Sequence, residues 1–331
     1  MNVMPATAAA HAASVASAAP VASVAPVAPV APAAPAGATE HPSNEALAGT
    51  LAELLGNASI EITVREAAAL ADAAPFLPGG TGIYVPSLPS RPLALSLPLL
   101  ADIRARGFDP VPHVAARRVT ASDDLPAFVA RAVREHGVHR VMLIGGDEPA
   151  PLGPWRDSAQ LLQSGLLRDA GVREIGIAVY PEGHPKIAQA ALQAALDAKL
   201  EAAARQGLGV YAVTQFSFAP ERIVALLAAL HQQHPELPVY VGMPGPSDPV
   251  QLLRYAQRCG VGATRRALSS LGTRIAQLMV HTEPSEQLAV TARYAQRHDN
   301  VVGVHLFSFG GVVRTARWLH ERVSASTAGR G

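Results

Sequence analysis

Eight short runs of β-forming residues, separated by longer helical patterns, constrain this chain more than any other feature. The runs fall at 59–64, 82–86, 111–115, 140–144, 174–180, 210–216, 239–243 and 301–307. Between them lie Ala-, Leu- and Arg-rich segments at 98–106, 125–136, 187–205, 221–233 and 249–258. Their apolar residues recur at three and four positions, as a helix packed on a sheet requires. Strand–helix alternation implies a parallel sheet. Eight repeats suit a closed barrel better than an open sheet, because closure removes both exposed edges. No Gly-x-Gly-x-x-Gly follows the first run and no Walker loop occurs, so the usual nucleotide-binding signatures of an open sheet are missing. The expected fold is α/β: a single (β/α)8 TIM-type barrel over 44–325, with 260–283 as a helical insertion before the last repeat.

The two ends read differently. Residues 1–43 are nearly all Ala, Pro and Val, and the first Lys or Arg of the chain is Arg65. A secretory signal needs a basic start and a transit peptide needs arginines; this segment has neither. Its prolines break every apolar run well short of the ~18 residues of a membrane helix. The expectation is a disordered, polyproline-like tail, with a second disordered stretch at 326–331. A formal net charge of +1 gives no field for nucleic acid or an acidic membrane, and 5% aromatics is poor for base stacking. One cysteine, Cys259, excludes an internal disulfide and a cysteine-built zinc site, and its simple reading is a reducing cytoplasm. Homo-oligomerisation is left open.

In a barrel of this type, active-site groups sit at the C-terminal ends of the strands. Here those ends carry Tyr84, His113, Gly146 and Asp147, Tyr180 to His184, Thr214 and Gln215, and His305. Glu61 lies inside the first run between Ile60 and Ile62. If the isoleucines pack outward on helices, alternation turns Glu61 into the barrel. A metal-dependent hydrolase using His113, His184, His305 and Asp147 is disfavoured, because the first strand has no His-x-His pair.

The order of the short motifs carries more. Ser59-Ile-Glu-Ile62, Val111-Pro-His113, Gly146-Asp147, Tyr180-Pro-Glu-Gly-His-Pro185, Thr214-Gln-Phe-Ser-Phe218 and His305-Leu-Phe-Ser308 follow one another along the chain. This series resembles the methylenetetrahydrofolate reductase family over roughly 57–318. The Tyr-Pro-Glu-x-His-Pro and Thr-Gln-Phe pair on either side of one helix is its most specific part. The resemblance implies noncovalent FAD, a reduced nicotinamide, NAD(P)H, as electron source, and tetrahydrofolate derivatives as substrate. The expected activity is interconversion of 5,10-methylene- and 5-methyltetrahydrofolate in one-carbon metabolism. By the same resemblance Glu61 is the general acid, and burial is expected to raise its pKa so that it carries a proton near neutrality. Asp147 is expected at both pterin and flavin. Tyr84, His113, Gly146, Tyr180, His184 and Lys199 are expected along the flavin, Lys199 at its phosphates. Gln215 and Phe218 are expected at the substrate.

The chain also departs from the family. Ile62-Thr-Val-Arg65 replaces the prolines after the glutamate, and Gly145-Gly146-Asp147 lacks the family's arginine. Leu192 or Gln193 stands where an acidic flavin contact is usual, and Gly310-Gly311 replaces an Asn-Arg pair. These departures define the alternative: a folate-binding barrel specialised for catabolic demethylation, or one lacking reductase activity.

Overall fold

A computed structural model describes residues 44–247 and 283–328. The tail at 1–43, the helix expected at 249–258, Cys259 and nearly all of the expected insertion lie outside the described residues. Eight parallel strands form a closed barrel in sequential order: β1 (Ser59–Glu61), β2 (Gly82–Val85), β3 (Asp109–Ala115), β4 (Arg140–Ile144), β5 (Glu174–Val179), β6 (Gly209–Thr214), β7 (Val239–Pro244) and β8 (Val301–Phe307). Closure is made by β1 on β8, with Ser59 opposite His305 and Ile60 opposite Leu306. Among the described residues the helices are α1 (Asn44–Gly56), α2 (Leu70–Ala73), α3 (Leu97–Ala105), α4 (Leu125–His136), α5 (Ser158–Gln163), α6 (Leu166–Asp169), α7 (Gln189–Gln206), α8 (Pro220–Gln233), α9 (Ser285–Ala295) and α10 (Val312–Ala328).

Helix α4 shows how local sequence sets an element. The Asp124 side chain accepts from the Ala127 amide at 3.3 Å, Pro126 occupies the first turn, and Gly137 closes the far end at φ +64. Leu125, Phe128, Val129 and Ala132 recur on one face and are buried. The expected strands agree with the observed ones, and the ends that differ have causes. β1 stops at Glu61 because Thr63 donates its amide and hydroxyl to the Glu66 carboxylate, at 3.3 and 2.9 Å, and starts a 3-10 turn. β6 stops at Thr214 because the Gln215 side chain accepts from the Phe216 amide at 3.0 Å. Helix α10 continues through Ala328, past the boundary expected at 325.

The core has two layers. Ile60, Ile62, Ile83, Val114, Leu143, Ile177, Val241 and Leu306 point outward and are fully buried beneath the helices. Tyr84, Val111, Met142, Tyr211 and Val213 fill the inside of the barrel. Gly176 makes room for them: a Cβ there would stand 2.8 Å from the Tyr211 hydroxyl and 2.9 Å from the Met142 sulfur. Below this layer Arg140 pairs with Asp109 and lies 5.8 Å from the centre of the Tyr211 ring, closing the lower end of the interior with charge.

Candidate active site at the barrel mouth

Glu61 points into the barrel, as alternation with Ile60 and Ile62 requires. Its side chain keeps 18% exposure on the mouth side. Two imidazoles flank one carboxylate oxygen: His305 Nε2 at 3.4 Å and His113 Nε2 at 3.6 Å. The second distance exceeds hydrogen-bond range, and His113 Nε2 has no hydrogen-bond partner. His305 is held from behind, its Nδ1 2.8 Å from the Ser59 hydroxyl. The Tyr84 ring packs edgewise on both imidazoles, 4.5 Å from His305 and 5.9 Å from His113, and its hydroxyl donates to Tyr211 at 2.9 Å.

This geometry corrects the expected protonation of Glu61. Burial pushes its carboxyl upward, but the hydrogen bond from His305, with the fields of His113 and His305 behind it, outweighs burial and the net direction is down. Burial pushes His113 to about 4, against the attraction of Glu61. An imidazole with that value is neutral at pH 7, so the His305 hydrogen bond is the cause that holds there. At rest Glu61 is a carboxylate, not a loaded acid. Tyr84 is 1% exposed and sits under the imidazoles, which its ring supports.

Around the rim, the motifs singled out in the sequence meet. The Ser217 hydroxyl donates to the Glu182 carboxylate at 2.7 Å, joining the Thr-Gln-Phe-Ser-Phe and Tyr-Pro-Glu-Gly-His segments. Tyr180 and His184 pack edge to face with centroids 5.2 Å apart. Burial lowers the His184 pKa, and the nearby Asp147 carboxylate pulls the other way. Gly146 adopts φ +93, and Asp147 beyond it is largely in solvent, its side chain 86% exposed. Gln215 uses its oxygen on Phe216, leaving the carboxamide nitrogen without a partner among the described residues. Phe218 stacks edgewise on buried Phe216, which also meets Phe307 and Phe309. A small cleft, open to solvent and lined by Val64, Pro86, Leu88 and Arg91, reaches His113. Of the large exposed apolar side chains among the described residues, Leu95 lies in the 3-10 turn that precedes α3, and Leu152 and Ile187 lie on loops that follow β4 and β5.

Two parts of the rim go beyond the sequence motifs. Arg117 donates to the carbonyls of Glu148, Pro149 and Arg156, pinning the β4 loop. Arg118 pairs with Glu148 at 2.7 Å and Asp147 at 3.4 Å and donates to the Ser87 carbonyl. The adjacent arginines after β3 were the available signal. Lys199 lies on the buried face of α7 with Leu196, Ala202 and Ala203, is 8% exposed, and feels the Asp157 carboxylate.

These residues can be tested against a flavin. The ring end fits: a Cβ on Gly145 would meet nothing within 4 Å, so a flat group can approach the backbone there, with Tyr180, His184 and His113 on the same face of the barrel. The phosphate end fits less well. Arg117 and Arg118 are committed to protein partners and Lys199 is buried. Among the described residues no group of three or more His, Cys, Asp or Glu is arranged to hold a metal ion.

The fold and site define a (β/α)8 barrel with titratable groups gathered at the C-terminal mouth. No protein-family model matches the sequence. In fold the chain is similar to an uncharacterised protein from Clostridium thermocellum that binds two copies of 5-methyl-5,6,7,8-tetrahydrofolic acid. That match has 11% identity, covers 81% of this chain and 98% of that one, and has a TM-score of 0.52. Weaker likenesses reach the dihydropteroate synthase of Thermus thermophilus, with 16% identity, coverage of 82% and 93%, and a TM-score of 0.46. The 7,8-dihydropteroate synthase of Vibrio fischeri gives 14%, 84% and 94%, and 0.42. At these identities the likeness is one of fold. No helix among the described residues is long and apolar enough to cross a membrane.

Proposed function

We propose that this barrel binds a reduced folate over Glu61 and interconverts its methylene and methyl forms, with FAD and NAD(P)H as the redox partners. The observation that carries the reading is the Glu61 carboxylate, reachable from the mouth and held by an imidazole that can exchange a proton with it. The ordered motifs and the methyl-folate-binding barrel from Clostridium thermocellum support the folate part. In the reductive direction the C–N10 bond of methylenetetrahydrofolate breaks. N10 takes a proton, the one-carbon unit is left as an N5 iminium, and that carbon accepts hydride. FAD, where bound and first reduced by NAD(P)H, would supply that hydride. Glu61 supplies the proton, having first gained it through its imidazole partner His305. Gln215 can donate its free amide to the pterin edge, and Asp147 can accept from it. Phe218 offers a flat apolar face beside them.

The committed arginines and buried Lys199 favour a second reading, a folate-binding barrel that retains flavin weakly or not at all. One set of measurements separates the two. Freshly purified protein is expected to show flavin bands that bleach with NADH or NADPH. Glu61→Gln should leave that bleaching near normal and slow methylene-folate reduction by at least ~10²-fold, the lower end for a general acid. Folate binding without flavin bands, even after incubation with FAD, would sink the reductase reading and keep the binding one. Equal slowing of both half-reactions would make Glu61 structural.

A further inference from the structure

We infer that His305 is a positioning residue that loads Glu61 with its proton, and that Ser59 makes this possible by adapting to either state of the imidazole. This rests on the reading of Glu61 as the proton donor to folate. Ser59, Glu61 and His305 are brought together by barrel closure, and Ser59 and His305 are 4% and 1% exposed. No water-filled route is needed between them, because each polar atom already faces the next. The Ser59 hydroxyl lies 2.8 Å from His305 Nδ1 and 3.5 Å from the Val304 carbonyl. His305 Nε2 lies 3.4 Å from Glu61 Oε1.

Donor and acceptor balance allows two arrangements. In the first, the Ser59 hydroxyl donates to Nδ1, so Nδ1 has no proton. Nε2 then carries the single imidazole proton and donates it to the Glu61 carboxylate. This arrangement uses the shorter Ser59 contact and fits a resting carboxylate. In the second, one proton has been added. Nδ1–H donates to the Ser59 oxygen, and the hydroxyl turns to the Val304 carbonyl. The proton between Nε2 and Oε1 can then cross to Glu61, leaving a neutral imidazole protonated at Nδ1 and a carboxylic acid facing the mouth. One proton enters, none is lost, and no bond other than N–H and O–H changes. The titratable groups facing His305 are Glu61 from β1, Tyr84 from β2 and His113 from β3, and its β7 neighbour at this level is Gly242. His113 lacks an arrangement of this kind, since its Nε2 has no hydrogen-bond partner. Without the Ser59 oxygen, Nδ1–H of the second arrangement would be buried with no acceptor, and the loaded state would be disfavoured.

The test reads the imidazole itself. Full-length protein labelled with 15N-histidine, without folate or added flavin, is followed by two-bond 1H–15N spectra across pH. His305→Gln identifies the signals. The expected result is an Nε2–H tautomer with unprotonated Nδ1 at high pH, and protonation at Nδ1 as pH falls. Ser59→Ala should move that midpoint down by about one pH unit, the equivalent of one lost buried hydrogen bond. The pH profile of folate reduction should move with it, while flavin reduction by nicotinamide stays put, and Ser59→Thr should restore both. An Nδ1–H tautomer in the wild type at high pH would overturn the inference without any variant. So would a midpoint unmoved in Ser59→Ala. A protein that shows the tautomer and the shift but never turns over folate would keep the relay and remove the reductase reading.

Discussion

Lys199→Met is expected to stabilise the protein, although the family resemblance puts Lys199 at the flavin phosphates. The side chain occupies a core-facing position of α7 and is 8% exposed. Burial lowers its ammonium from 10.5 to about 8, with the Asp157 carboxylate pulling the other way. At about 1.4 kcal/mol per pH unit, that fall corresponds to roughly 3 kcal/mol by which folding penalises the charged form. Below pH 8 both folded and unfolded chains hold the proton, and the penalty is complete. Between 8 and 10.5 the unfolded chain binds more proton, so stability rises with pH through this window and levels off above it. Methionine keeps the length and the apolar stem and deletes the charge. At pH 7 the variant should therefore be more stable by about 1–3 kcal/mol, allowing for local relaxation. The advantage should shrink towards zero near pH 10.5. Urea denaturation at pH 7, 8.5 and 10 measures this directly. A variant that is no more stable at pH 7, or an advantage that stays constant with pH, would refute the reasoning. Flavin content of the same variant gives a separate answer: loss of flavin from a more stable protein would return Lys199 to the phosphate site.

Two further perturbations probe the inside of the barrel. Gly176→Ala should cost about 1–3 kcal/mol in chemical denaturation, because its methyl would meet the Tyr211 ring and the Met142 sulfur, and the bond from Tyr84 keeps Tyr211 from moving aside; a neutral result would mean the ring can shift. His113 should make the fold acid-sensitive: burial lowers its imidazole from 6.5 to about 4, so between those values the unfolded chain binds a proton that the folded one refuses. Stability should fall by up to about 3 kcal/mol as pH drops through that window, and His113→Gln should flatten the slope in denaturation series from pH 7 to 4.

The barrel was legible because a parallel strand buried on both faces leaves a strong local signature, and each helix leaves a 3.6-residue one. Strand ends were less so, since Thr63 and Gln215 end β1 and β6 through side-chain bonds that no periodicity reports. The inward turn of Glu61 followed from alternation alone. The same alternation places Ser59 on that face, a signal that was present and unused. The pairing of Glu61 with His305 spans 244 residues and exists only because β8 closes on β1. The latch of Arg117 and Arg118 on the β4 loop depends in the same way on where two loops fold.

On the proposed folate reading, that long-range pairing also decides what kind of catalyst Glu61 would be. Burial by itself would make it an acid; the His305 hydrogen bond makes its resting form a base. The two directions of folate chemistry ask for opposite forms. Reduction of methylene-folate needs N10 protonated as the ring opens, so the relay must be loaded first. Oxidation of methyl-folate ends with N10 closing on the iminium and losing its proton, and a carboxylate accepts that proton without preparation. As pH falls towards the loading of Glu61, the fraction of acid grows and the fraction of base shrinks. The reductive folate half-reaction should therefore accelerate with falling pH and the oxidative one slow, in single-turnover absorbance traces started from reduced and oxidised flavin respectively. Parallel profiles in the two directions would mean that the proton is exchanged elsewhere, and Glu61 would then be left with orienting the ligand.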